Sequence, residues 1–196
     1  MILTATGDTR ALAAIKKRTP PMARHPAHAI LGPMKTVLVV YHSMTGGTRQ
    51  MVDALTAGMA LEQAIVVNLR HAATAAPGDV IEAAGYVFAT PENLAAISGV
   101  MKDFFDRCYY PALEKINGRP YATLICAGSD GSNAARQIVR IATGWRLRQV
   151  AEPLIVCTHA QTPEAILAPK LISARDLDRC RELGTQVAAG IALGIY

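Results

Sequence analysis

Aromatic residues are scarce in this chain. They make up 5% of its 196 residues, with one tryptophan and three phenylalanines. All-β proteins lean on aromatic and β-branched strands, whereas 51% hydrophobic content rich in alanine suits a helix-rich α/β domain. Cysteine is also sparse. Cys108, Cys126, Cys157 and Cys180 form no CxxC pair, so neither a disulfide framework nor a zinc site is indicated, and a reducing cytoplasm is the expected setting. Cys126 and Cys157 sit in apolar runs and read as small buried hydrophobes. Long apolar runs are missing too. The longest, VAAGIALGIY at the C-terminus, is too short to cross a bilayer and is broken by glycines.

The excess of basic charge is uneven. Residues 1–34 carry Arg10, Lys16, Lys17, Arg18 and Arg24 against Asp8 alone, so most of the net +5 lies there and the remainder is close to neutral. The body therefore offers a partner such as nucleic acid no broad basic field. The same 34 residues hold four prolines and no aromatic residue, and they lack the apolar centre of a secretory signal. They read as a flexible extension, with a targeting role as the alternative. Met34-Lys35 would make a natural start for a single domain over 35–196, long enough to bury a sizeable core.

From Thr36 onward, strand and helix patterns alternate. Continuous β-branched runs at 36–41, 64–69, 86–90, 122–127 and 153–158 predict five strands covered on both faces. Between them, Met51, Val52, Leu55 and Met59 recur at helical spacing. So do Ile97, Met101, Phe104 and Cys108, then Ala134, Ile138, Ile141 and Trp145, and finally Leu177, Cys180, Gly184, Val187 and Ile191. A short helix is expected around 80–84. Right-handed crossovers restrict such a chain to a doubly wound, three-layer α/β sandwich, with sheet order 2-1-3-4-5 favoured. Ligands of such sheets sit beyond the C-terminal strand ends, beside the first strand.

One loop at that pole stands out. The first strand runs into YHSMTGGT, residues 41–48, and then into a helix. Backbone amides converging at a helix N-terminus favour an anion. Ser43, Thr45 and Thr48 add hydroxyls, Met44 lies between them, and Gly46 and Gly47 permit close backbone approach. Arg49 would be awkward beside a positive helix end unless an anion were present. An ordinary Ser/Thr/Gly cap is the alternative, but one hydroxyl and one glycine would serve that purpose. The chain lacks the GxxxxGK[ST] lysine of a triphosphate loop and the GxGxxG of a dinucleotide fold, so the loop suits one terminal phosphate held without metal.

The loop resembles the phosphate loop of flavodoxin-like proteins, S/T-x-T-G-x-T after the first strand. That resemblance implies the five-stranded order above, bound FMN, and a match over essentially all of 35–196. A second loop, TPENLAAISG at 90–99, is similar to the TP-containing version of the family's FMN-reductase branch, where it borders the flavin ring. Pro91, Glu92, Asn93 and Leu94 are then expected cofactor contacts: Asn93 and backbone amides at the ring edge, Leu94 as apolar cover where no aromatic platform exists. A polar helix entry with Pro91 near the first turn is the alternative. A third loop, AGSDGSNAA at 127–135, offers Gly128, Ser129, Asp130 and Gly131 as a flavin-facing turn, though Asp130 or Ser132 would equally cap the next helix.

The resemblance implies an FMN-dependent oxidoreductase that takes hydride from NAD(P)H and passes electrons to a quinone, free flavin or similar small acceptor. Homodimers or homotetramers are common in that branch. No side-chain acid, base or metal is then required. The alternative is a flavodoxin-type electron carrier without NAD(P)H activity, but such carriers are strongly acidic and this body is not. A phosphoacceptor signalling domain would need acidic residues at the strand ends, where this chain has Tyr41-His42-Ser43 and Thr90-Pro91. His42 and His159 read as solvated or loop-bonded residues. Tyr109, Tyr110 and Trp145 read as core or subunit-contact residues, and Arg136, Arg140, Arg146 and Arg148 as a solvated helix face.

Overall fold

The computed structural model describes Ile2 and residues 34–196; the expectations for residues 3–33 lie outside the described residues. Strand β1 (Lys35–Tyr41) leads to helix α1 (Gly47–Met59), then β2 (Ile65–His71) and the short α2 (Pro77–Glu82). Strand β3 (Gly85–Asn93) is followed by a two-residue β4 (Ala96–Ile97), α3 (Gly99–Ala112) and β5 (Pro120–Ala127). Next come α4 (Ser132–Gly144), β6 (Arg148–Gln149), β7 (Leu154–Cys157), α5 (Pro163–Leu167) and α6 (Ala174–Leu193).

The main sheet is parallel, in the order β2-β1-β3-β5, with β6 and β7 both pairing with β5. Its fifth position is one interrupted strand: β6 lies along Pro120 and Tyr121, and β7 along 124–127. Pro153, which has no N–H to give a ladder, lies in the interruption. The five-position order 2-1-3-4-5 is therefore the one expected from sequence, with β4, β6 and α5 as additions.

The central runs β1, β3 and β5 form strands with both faces covered, whereas the edge strand β2 is only partly covered and leaves Val66 exposed. Along β1, Leu38 and Val40 join one core with Phe88, Phe104, Phe105, Ile138 and Trp145, while Val37 and Val39 join another with Met51, Leu55, Cys180 and Val187. Alternation along a single strand thus feeds two layers, one under α2, α3 and α4, the other under α1 and α6. All four β1 residues are fully buried, each contributing about 1.5–3 kcal/mol by transfer from water. Trp145 is a core residue, with its ring edge-on to Phe105 at 5.3 Å between centroids. Tyr109 packs against the same core, and Tyr110 is exposed.

Candidate functional site

The turn from β1 to α1 is shaped by two glycines with different tasks. Gly46 caps α1 in the left-handed region at φ 85°, where an L side chain would be strained. Gly47 has ordinary φ, but a Cβ there would come 2.6 Å from Cys126 Sγ and 3.3 Å from Lys170 Cβ. No side chain caps α1 at its N-cap position. The Ser43 hydroxyl accepts from the Arg49 amide at 3.3 Å, and Gln50 N is the first amide to bond back, to Gly46 O. The amides ahead of it point off the helix end, which carries the positive end of the helix dipole. Thr48 is 1% exposed, and its hydroxyl has no partner in hydrogen-bond geometry. A buried hydroxyl left unpaired costs about 1–3 kcal/mol; the neighbouring Cys126 thiol is a weak partner outside hydrogen-bond geometry, so a stronger acceptor such as a phosphate oxygen fits here.

Arg49 corrects the sequence reading. It does not face the loop's anion seat: its Nε bonds Asp53 at 2.8 Å, its Nη1 donates to the Tyr41 hydroxyl at 2.9 Å, and its guanidinium lies over the Tyr41 ring. An i,i+4 acid and an aromatic face explain the cation without any ligand. His42 Nδ1 is buried and unpartnered, and its ring stands edge-on to His71 at 5.5 Å. Burial, then the neighbouring His71, holds its pKa below the ordinary histidine value.

In the second loop the structure sets aside the alternative of a helix entry at Pro91. Pro91 does not enter a helix; β3 runs on through Asn93 and turns back at once into β4. Leu94 and Ala95 at the tip have φ of 50° and 57°, the sign a type I′ hairpin requires at both central positions, where Asn-Gly is usual. Leu94 is fully exposed. Helix α4 holds the hairpin in this strained form, Gln137 Oε1 accepting from Ile97 N and Asn133 Nδ2 donating to Ala95 O. The Thr90 hydroxyl is buried and bonded to Ser98, whose own hydroxyl caps α3.

In the third loop neither Asp130 nor Ser132 caps α4. Gly131 is the cap residue at φ 78°, and its N–H donates to Glu92 Oε2 at 2.9 Å. The Ser132 hydroxyl turns back to the Asp130 carboxylate instead. Glu92 therefore ties the second loop to the third.

A fourth segment, missed in the sequence, closes the group. After β7 the chain passes through Thr158 and Ala160 into α5, which has no buried residue, and returns past Lys170. Thr162 followed by Pro163 and Glu164 is a helix-start signature, and the Thr162 hydroxyl accepts from Ala165 N. That signature, at the strand-end pole beside the third loop, was the available signal.

These four segments line one cleft of about 590 Å³, within the usual range for a small-molecule site. Ser43, Met44, Thr45, Gly47 and Thr48 form one end of its lining. Pro91, Glu92, Asn93 and Leu94 form one wall, and Gly128 and Ser129 the other. Gly46, Asp130 and Gly131 shape the loops without lining the cleft. Cys126 lies at its base; burial pushes its thiol up to about 11, against smaller opposing pulls from the Lys170 ammonium and the Thr48 hydroxyl. A larger, more open groove of about 870 Å³ runs between α4 and residues 149–153, with Arg136 and Arg140 on it. It has no unpaired buried polar atom and no helix N-terminus aimed into it, so the cleft is the stronger candidate. Among the described residues, no cluster of three or more His, Cys, Asp or Glu side chains is placed to hold a metal ion. None of the described helices is long and apolar enough to cross a membrane.

The sheet order and the cleft at its switch point define a flavodoxin-like α/β protein. The sequence profile of the family described as NADPH-dependent FMN reductase matches residues 67–162, which include the second and third loops and not the first. A flavodoxin of Aquifex aeolicus is 26% identical over 165 residues, covering 82% of this chain and 89% of its own. Among solved structures, a flavodoxin, WrbA-like protein from Agrobacterium tumefaciens superposes with a TM-score of 0.64 at 19% identity, over 81% of this chain and 98% of that one. A flavodoxin from the domain Archaea gives 0.65 at 17%, over 80% and 98%. In sequence and in fold the chain is thus similar to flavodoxin-like FMN-binding proteins.

Proposed function

We propose that the cleft binds FMN, its phosphate at the head of α1 and its ring between the 91–95 hairpin and the 128–131 turn. The protein would act as an NAD(P)H-dependent FMN oxidoreductase serving a small acceptor such as a quinone or free flavin. The observation that carries the reading is the buried, unpartnered Thr48 hydroxyl beside a left-handed Gly46 in an S-x-T-G-x-T loop. The residues fit a lone phosphate monoester: hydroxyls of Ser43, Thr45 and Thr48 and the first amides of α1 would donate to it, with no metal needed. When bound, FMN supplies the hydride and electron-transfer chemistry. The chain's own part is positional. Asn93 would hydrogen-bond the ring edge, Leu94, Ile166 and Leu167 would exclude water from its faces, and Glu92 would keep the two walls at fixed separation.

The near-neutral body favours an enzyme over a carrier, since a carrier's strongly acidic surface steers it onto basic partners. The likeness to proteins named flavodoxin supports the second reading, electron transfer without NAD(P)H activity. The exposed Leu94, Ile166 and Leu167 of the cleft lining favour a homo-oligomer in which a second copy covers them. Domain limits at 35–196 and a cytoplasmic setting complete the reading.

One assay decides between them. Purified protein is titrated with FMN by fluorescence quenching, then given NADH or NADPH with a quinone. Saturable FMN binding with multiple-turnover NAD(P)H oxidation is the expected result. FMN binding without turnover leaves the carrier, and no flavin binding defeats both.

A further inference from the structure

The first loop has an anion seat but no cation of its own, because Arg49 is committed to Asp53 and Tyr41. The nearest candidate comes from 120 residues downstream. Lys170 lines the cleft together with Ser43, Thr45 and Thr48. Its backbone is fastened to the loop on both sides. Lys170 N donates to Thr45 O at 2.8 Å, and Lys170 O accepts from Gln50 Nε2 at 2.6 Å. Gln50 completes the clamp, donating also to Gly46 O and accepting from Ile172 N. The lysine side chain leaves this anchor directly over the head of α1, and Gly47 is bare at the point where Lys170 Cβ passes.

The ammonium of Lys170 rests on neutral groups. It donates to the carbonyls of Ala165, Ile166 and Ala168 at 2.6–2.8 Å. The arginines and Lys102 that form ion pairs on this surface sit on carboxylates instead. Three carbonyls at the end of a five-residue helix that buries nothing hold a cation less strongly than a doubly charged phosphate would. A lysine is a mobile point charge on a four-carbon stem, and its backbone here is already held at the right place.

We propose that Lys170 supplies the positive charge for the phosphate seat and so sets the preference of the cleft for a phosphorylated flavin over the same flavin without its phosphate. The proposal rests on the FMN reading above. On ligand entry the ammonium leaves the α5 carbonyls for a phosphate oxygen, while Gln50 and Thr45 keep the backbone of Lys170 fixed. Thr48 and Lys170 then meet the anion from the α1 side and from the segment that follows α5.

The test compares FMN and riboflavin affinities, by fluorescence quenching, for the full chain and its Lys170→Gln and Lys170→Arg variants. Loss of a charge-assisted bond should weaken FMN by about tenfold to a hundredfold. Riboflavin should change by less than about twofold, and the arginine variant should keep most of the preference. If Lys170 only caps α5, Lys170→Gln will lower both affinities together or neither, and the proposal fails. Inorganic phosphate separates this from the flavin reading. Should the wild type bind neither flavin, a rise in its melting temperature with phosphate that is absent in Lys170→Gln supports the charge role. Equal phosphate responses, or none, overturn it.

Discussion

The two ends of the cleft are built on different principles. The end at α1 is made of short hydroxyls, a left-handed glycine and the Gln50 clamp, with Thr48 buried at the lining of the cleft. The end at the hairpin presents an exposed leucine on a turn whose two central residues both have positive φ, held by side chains of α4. The first is shaped for one charged group and tolerates little else. The second leaves apolar surface open and stores strain that the rest of the fold sustains. On the proposed function, a site with this asymmetry would anchor the flavin by its phosphate tail and leave the ring accessible.

Damage to the tail end should show the largest effect. Thr45→Ala combined with Thr48→Ala is expected to weaken FMN by about a hundredfold or more. Riboflavin affinity should barely move, and removing the unpaired Thr48 hydroxyl should leave the ligand-free protein no less stable in urea. Parallel losses of both flavins would erase the distinction between the two ends. Glu92→Ala probes the other end. Freeing the Gly131 amide should lower FMN and riboflavin alike by about threefold to tenfold, with faster hydrogen exchange at that amide. A smaller gain is expected from Ala95→Gly, which relieves the positive φ and should stabilise the protein by about 1 kcal/mol in denaturant unfolding. A loss there would mean that the hairpin is not strained.

The smallest effect is a pH dependence from His42. Its folded pKa lies below the ordinary 6.5, because burial and His71 disfavour its charged form. The unfolded chain therefore takes up this proton first as pH falls. The contribution of His42 to stability is complete above 6.5 and is lost as pH drops from 6.5 through the lower folded value. His42→Asn should flatten that part of the stability profile measured by urea unfolding.

The fold was legible because the central β-branched runs had to be covered on two sides, and alternation along β1 alone feeds both cores. The tail end of the cleft was legible for a similar reason: a motif of hydroxyls and glycines has few uses after a strand. The ring end was less so. Pro91 reads as a loop residue or as a helix start, and pairing with β5 carries β3 past it through Asn93. Asp130 and Ser132 read as caps, but Glu92, distant in sequence, takes the Gly131 amide. Arg49 was read through the helix dipole when the nearer Asp53 decides its direction. Lys170 was missed because its relation to Thr45 and Gln50 exists only in three dimensions.

Cys126 has a practical consequence. Its sulfur lies where a Gly47 side chain would be, 8% exposed and held protonated by burial. Thiolate, not thiol, reacts with oxidants and alkylating reagents. On the proposed redox function, this sulfur would escape oxidants while the loop above it stays shut. The rate at which a thiol reagent reaches it would serve as a clock for how often that loop breathes.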